Sequence, residues 1–150
     1  MKNLFPLLVI LALVFGATGC KKDSSIKTEY VEGVVTLNGT AIDNALVTFD
    51  PVDKTNGVSA TGYSDNTGKY TLTAVGGAPQ KGAVEGEYKV TVTKVEIKTV
   101  TKPPLYPGEE EREETVQTQV LPSNYMKASS TPLAKSVVKG KNTINLELEK

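Results

Sequence analysis

The chain of 150 residues has no histidine, no tryptophan, one cysteine (Cys20) and one arginine (Arg112). Each absence removes a class of chemistry. Without histidine there is no general base for a Ser-His-Asp or Cys-His arrangement, and no imidazole to hold zinc. A single cysteine closes no disulfide within the chain. Without tryptophan, a sugar-stacking platform has only the six tyrosines to draw on: Tyr30, Tyr63, Tyr70, Tyr88, Tyr106 and Tyr125. Charge is balanced, with 17 Lys and Arg against 17 Asp and Glu, so no basic excess exists for a nucleic-acid backbone and no nucleic-acid partner is expected. The one long apolar run, Leu4 to Phe15, would extend about 18 Å as a helix, short of the ~30 Å hydrocarbon core of a bilayer.

That run has a context. Met1-Lys2-Asn3 supplies a basic start, and Gly16-Ala17-Thr18-Gly19-Cys20 closes the run with small residues, the layout of a secretory signal peptide. The position of Cys20 resembles the lipobox of bacterial lipoproteins; an ordinary signal peptide with a chance cysteine is the alternative. The resemblance implies cleavage before Cys20, a diacylglycerol on its thiol and an acyl chain, such as palmitate, on its amine. Residues 1–19 are then the signal peptide, 20–28 a lipidated tether and 29–150 the folded domain. Each buried methylene contributes ~0.8 kcal/mol and a single chain holds a protein only marginally, so several chains make release negligible. The first expected partner is therefore the membrane, reached through the anchor. Lys21 stands where an aspartate acts as an inner-membrane retention signal in enteric bacteria, which points to the outer membrane of the cell envelope. Removing residues 1–19 takes away Lys2 and no acid, leaving 16 basic and 17 acidic residues, and Phe49 becomes the sole phenylalanine.

From Tyr30 onward the apolar pattern has period two, the signature of strands with one buried face. Val31, Gly33, Val35 and Leu37 form one row, ended by the turn pair Asn38-Gly39. Ala45, Val47 and Phe49 form the next, stopped by Pro51. A weaker strand is expected from Val58 to Ser64. Asp65-Asn66-Thr67-Gly68 turns the chain into the row Tyr70, Leu72, Ala74. Tyr88, Val90 and Val92 point inward from a strand opened by Glu87. After Val92 the apolar parity moves to Val95 and Ile97, which predicts a β-bulge near Thr93-Lys94; the alternative is a strand that leaves its sheet there. A β-ribbon is expected from about Val95 to Leu121, with a charged tip. Leu133 to Val138 and Asn142 to Leu148 complete the fold, with Ile144, Leu146 and Leu148 inward. Seven or eight short strands with frequent turns and no helical stripe predict an all-β, two-sheet sandwich; a barrel ranks second.

The motifs Val31-Glu-Gly-Val-Val-Thr-Leu-Asn-Gly39, Ala45-Leu-Val-Thr-Phe49, Tyr63-Ser-Asp-Asn-Thr-Gly-Lys-Tyr-Thr-Leu72 and Gly86-Glu-Tyr-Lys-Val-Thr-Val92, in this order, resemble a carboxypeptidase regulatory-like domain. Leu121-Pro-Ser-Asn-Tyr125, Ser130-Thr-Pro-Leu133, Gly140-Lys-Asn142 and Ile144-Asn-Leu146 are similar to the closing part of small planctomycete-type lipoproteins. The resemblance covers residues 29 to 148 and implies a transthyretin-like (prealbumin-like), Ig-like sandwich. Lys135 replaces the apolar or small residue usual in that family, so the strand from Leu133 is expected at an edge. Enzymes of this fold class include hydroxyisourate hydrolases, which use histidines, an arginine and a specific C-terminal tetrapeptide, and intradiol dioxygenases, which hold iron with tyrosines and histidines. This chain has no histidine and ends Leu148-Glu149-Lys150, so it is expected not to be an enzyme and to use no cofactor or metal. Asp65, Asn66 and Thr67 supply oxygens at a turn but not the six to eight that calcium takes.

Binding is what remains. Lys102-Pro103-Pro104-Leu105-Tyr106-Pro107-Gly108 followed by Glu109-Glu110-Glu111-Arg112-Glu113-Glu114 is a long loop of the kind that is functional or disordered. Its prolines favour an extended shape that suits docking. Leu105, Tyr106, Glu109, Glu110 and Glu111 are the candidate partner-binding residues, for an envelope protein whose identity the chain does not encode. Carbohydrate binding is the competing reading, with Tyr106 and Tyr63 as the exposed rings. A paired tyrosine platform would favour sugar; an ordered tip with an apolar patch would favour a protein.

Overall fold

The alternation of apolar and polar residues builds two sheets whose inner faces meet. The computed structural model describes residues 26–55, 57–108 and 110–150. Its strands are β1 (Val31–Leu37), β2 (Thr40–Ala41), β3 (Leu46–Pro51), β4 (Ala60–Tyr63), β5 (Lys69–Thr71), β6 (Thr73–Ala74), β7 (Gln80–Lys81), β8 (Gly86–Thr93), β9 (Val95–Lys102), β10 (Arg112–Gln119), β11 (Ala134–Val137), β12 (Asn142–Thr143) and β13 (Leu146–Leu148). One 3-10 turn, Ser123–Tyr125, buries Tyr125.

β1 is the spine of the first sheet. β2 and β5 pair antiparallel to one side of it, while β12 and β13 run parallel to it on the other. The β1–β2 hairpin turns through Asn38 and Gly39, with φ of 50° and 80°, the double positive φ of the two-residue turn that matches strand twist. The second sheet has the order β11-β8-β3-β4-β6-β7. Both of its ends stay open, so no barrel closes. β11, with Lys135, pairs only with β8 and is an edge.

The expected run Tyr70, Leu72, Ala74 is continuous in chain but divided in space. Tyr70 pairs with Gly33 in the first sheet, and Thr73 pairs with Thr61 in the second. Leu72 joins the two sheets: its N–H donates to the Val31 carbonyl at 3.1 Å and its carbonyl accepts from Gly82 N–H at 2.7 Å. Such breaks divide the expected seven or eight strands into thirteen shorter ones. The Asp65 turn forms as expected. Asp65 Oδ1 accepts from the Thr67 N–H at 2.8 Å and the Lys69 N–H at 3.0 Å, and Gly68 takes a φ of 77°. Thr67 and its neighbours hold the Asp65 carboxyl below its ordinary range.

Between the sheets lie Val31, Val35, Leu146 and Leu148 from one side and Val47, Phe49, Tyr88, Val90 and Val92 from the other, all buried. Phe49 sits at the centre, its ring centroid 6.4 Å from Tyr70 and 5.7 Å from Tyr88. Fully burying such side chains contributes roughly 1.5–3 kcal/mol each. The polar ends of the aromatics are satisfied: the Tyr70 hydroxyl donates to the Ile144 carbonyl and the Tyr88 hydroxyl to the Val84 carbonyl, each at 2.7 Å. Burial pushes the pKa of both phenols up. Ile144 is half-buried against this core. The expected tether ends in contacts, because Ile26 is half-buried and the Thr28 hydroxyl donates to the Lys81 carbonyl at 2.8 Å.

Outside the first sheet, Glu32 gathers Lys141 at 2.8 Å, Lys69 at 3.4 Å and the Tyr30 hydroxyl at 3.1 Å. The hydrogen bond from Lys141, then that from Tyr30, brings the Glu32 carboxyl from an ordinary 4.5 down to about 2. A carboxyl depressed in the folded state stabilises the fold above its unfolded pKa, and that stabilisation is lost as pH falls through the folded value. Glu32→Gln is therefore expected to lower the melting temperature at pH 6, and the gap from wild type should close between about pH 4.5 and 2. Thermal melts of both proteins at pH 6, 4 and 2 check this. A gap independent of pH would mean that the cluster does not couple to folding.

Candidate functional site

At Lys94 the chain leaves the sandwich. β8 pairs with β3 as far as Thr93 opposite Leu46, and β9 then pairs with β10 alone. The β-bulge expected near Thr93-Lys94 gives way to the alternative, a strand that leaves its sheet, because past Thr93 the chain takes β10 and not β3 as its partner. Two interactions hold the point of departure. Lys94 Nζ donates to Asp43 Oδ1 at 2.7 Å, and the Lys94 carbonyl accepts from Val120 N–H at 3.2 Å. The ammonium holds the Asp43 carboxyl below its ordinary range.

The ribbon itself is regular. Eight register pairs run from Val95 opposite Gln119 to Lys102 opposite Arg112, a length of about 26 Å at the usual rise per residue. Its β-branched content, Val95, Ile97, Thr99, Val100 and Thr101 against Thr115, Val116 and Thr118, favours the pleated form. Directly opposed residues share a face, so the register sorts the side chains into two sets. One face carries Val95, Ile97, Thr99, Thr115, Gln117 and Gln119, with no charge until Glu113 near the tip. The other carries Glu96, Lys98, Lys102, Arg112 and Glu114. On that face Lys98 pairs with Glu96 at 3.5 Å and Lys102 pairs with Glu114. Lys102 holds the Glu114 carboxyl below its ordinary range.

Neither face is covered. Val95 and Ile97 are 47% and 68% exposed, and at the tip Leu105 and Tyr106 are 66% and 67% exposed. Glu110 and Glu111 are exposed beside them. Glu109 and Cys20, the remaining residues of the expected sites, lie outside the described residues. The tip turns through Gly108 at a φ of 95°.

A cavity of about 360 Å³ opens at the foot of the ribbon, its lining shared between apolar residues such as Leu37, Ile42, Val120 and Leu121 and polar ones such as Asn38, Asp43, Lys94 and Lys150. Neither this cavity nor the uncharged ribbon face is among the residues singled out from sequence. The odd-parity pair Val95 and Ile97 is the signal that marks the face. The cavity has no local signal, since its walls come from β1, the loop after β2, the foot of the ribbon and the C-terminal Lys150.

Of the other exposed tyrosines, Tyr63 ends β4 and Tyr30 precedes β1, so the exposed rings lie on three separate elements. Among the described residues, no three of His, Cys, Asp and Glu come together as metal ligands.

No family model matches the chain, and no curated protein matches it. Among solved structures, a DUF3823 family protein from Parabacteroides merdae is similar at 13% identity and a TM-score of 0.37, over 82% of this chain and 46% of its own. The chain thus spans about half the length of that protein. So loose a superposition transfers neither a site nor an activity.

Proposed function

We propose that this chain is a non-catalytic, lipid-anchored protein of the bacterial cell envelope, a transthyretin-like (carboxypeptidase regulatory-like) sandwich that docks a protein partner through its ribbon. The observation that carries the reading is the ribbon of β9 and β10, with an exposed Val95 and Ile97 on an uncharged face and an exposed Leu105 and Tyr106 at its tip. A two-stranded ribbon is only marginally stable in water by itself; covering one of its faces is how it gains stability. The lipobox-like segment ending at Cys20 supports the anchor and the outer membrane as its place. Glycan binding draws less support, since the exposed rings Tyr30, Tyr63 and Tyr106 come from three separate elements and no tryptophan adds to them.

Replacing residues 100–114 by Asn-Gly joins Thr99 to its register partner Thr115 through a two-residue turn. The melting temperature is expected to stay within a few degrees of wild type, because those of the removed residues that the structure describes are exposed. Capture from the cell's own envelope with the acylated protein should yield a protein partner that the shortened form loses. An identical set from both forms would overturn the docking reading.

A further inference from the structure

We infer that the partner of the ribbon is a second copy of this chain, with the two β9 strands paired antiparallel about a two-fold axis at Thr99. This rests on the ribbon being a docking element and names what it docks.

The free edge of β9 makes the first argument. β9 pairs only with β10 among the described strands, so its outer edge presents unpaired N–H and C=O groups along the whole strand. Proteins blunt such an edge with proline, a bulge, a covering segment or charged side chains; of these β9 carries only charges, Glu96, Lys98 and Lys102. Its charges are arranged to match themselves. About an axis at Thr99, Glu96 of each copy faces Lys102 of the other, Ile97 faces Thr101, and Lys98 faces Val100. Lys102 would then stand between Glu96 of the other copy and Glu114 of its own ribbon, the partner it already has. Opposite charges facing across strands are favourable and like charges are not. The β10 edge lacks this match. Arg112 is its sole cation, and pairing it with Glu114 of a second β10 would set Glu113 against Glu113.

The second argument is independent of charge. Val120 N–H donates to the Lys94 carbonyl, so in the alternating pattern of an antiparallel ladder Ile97, Thr99 and Thr101 turn their backbone groups away from β10. An axis at Thr99 sets these three outward-facing residues opposite one another as hydrogen-bonding pairs. The interface is isologous and closes on itself. An axis at Lys98 would pair as much of β9 but set Lys98 against Lys98, and an axis at Ile97 engages only Val95 to Thr99.

Single cysteines test the axis in the full-length acylated protein in its own membranes, with wild type, whose sole cysteine is Cys20, as the blank. Thr99→Cys is expected to form a disulfide-linked dimer under mild oxidation, at least tenfold more than Val116→Cys on the outer strand. Adding Glu96→Lys to Thr99→Cys should reduce the dimer about tenfold by facing lysine with lysine, and further adding Lys102→Glu should restore it. Lys102 is exposed and Glu96 half-buried, both on the outer ribbon, so the fold is expected to tolerate the exchange. Equal cross-linking at positions 99 and 116 would overturn the inference. So would self-linking of Ile97→Cys in place of Thr99→Cys, or a single charge change without effect. A different protein captured through the ribbon, with no link at position 99, would overturn self-pairing and leave the docking function standing.

Discussion

Gly33→Ala is expected to cost about 3–5 kcal/mol of stability, the sum of overpacking and of a buried hydrogen bond disturbed. A Cβ at Gly33 would lie 1.7 Å from the Ile144 carbonyl oxygen, 2.6 Å from its carbon and 3.0 Å from the Tyr70 ring. No side-chain rotation relieves a contact with backbone. Gly33 lies in β1 where the parallel edge is interrupted: β12 ends at Thr143, β13 begins at Leu146, and the chain between them folds over the glycine. Ile144 is held there by its N–H to the Glu32 carbonyl at 2.8 Å and by the Tyr70 hydroxyl on its own carbonyl. Asn145 Oδ1 meanwhile accepts from Val34 N–H at 3.1 Å. A methyl group must push this segment off β1 and leave the buried Tyr70 hydroxyl without its acceptor. The melting temperature should fall by roughly 10 °C or more for a chain of this size. Thermal and urea melts measure it. In the double variant Gly33→Ala/Tyr70→Phe the two losses should add to less than their sum, because both act on one hydrogen bond. Full additivity would show that the alanine acts elsewhere.

Cys20→Ser is expected to move the protein from the membrane fraction to the soluble fraction almost completely. A serine hydroxyl does not take the thioether-linked diacylglycerol, and the loss of several chains at ~0.8 kcal/mol per methylene leaves no comparable membrane affinity. The sandwich should melt as wild type does, since among the described residues its core is built from Val31 to Leu148. Fractionation of cells expressing each form, with anti-tag detection, decides the matter. Retention of the Cys20→Ser form in washed membranes would remove the anchor from the proposed function and leave the ribbon to be judged alone.

What could be read without coordinates is what is local. Side-chain parity along a strand is a local property, so the rows Val31 and Val35, Ala45, Val47 and Phe49, and Tyr88, Val90 and Val92 were legible as the buried faces they are. Turn chemistry is local too, and Asn38-Gly39 and Asp65 to Gly68 turn as their residue types require. The ribbon was legible in outline from its flanking parity and its proline-rich tip. The lipobox-like segment is legible in the sequence alone, because it lies outside the described residues. Tertiary structure decided the rest, and each case involves residues that only the fold brings together. The parallel pairing of β1 with β12 and β13 joins the two ends of the domain. Gly33 looks like one more member of an alternating row until Ile144, more than a hundred residues later, crosses over it. Leu72 belongs to one strand by pattern and to two sheets by hydrogen bonding. The uncharged face of the ribbon exists only once the register sets β9 against β10, and the cavity at its foot only once β1, the loop after β2 and the start of the ribbon converge. Periodicity reports which way a side chain points; which backbone it then meets depends on pairings that no window of sequence contains.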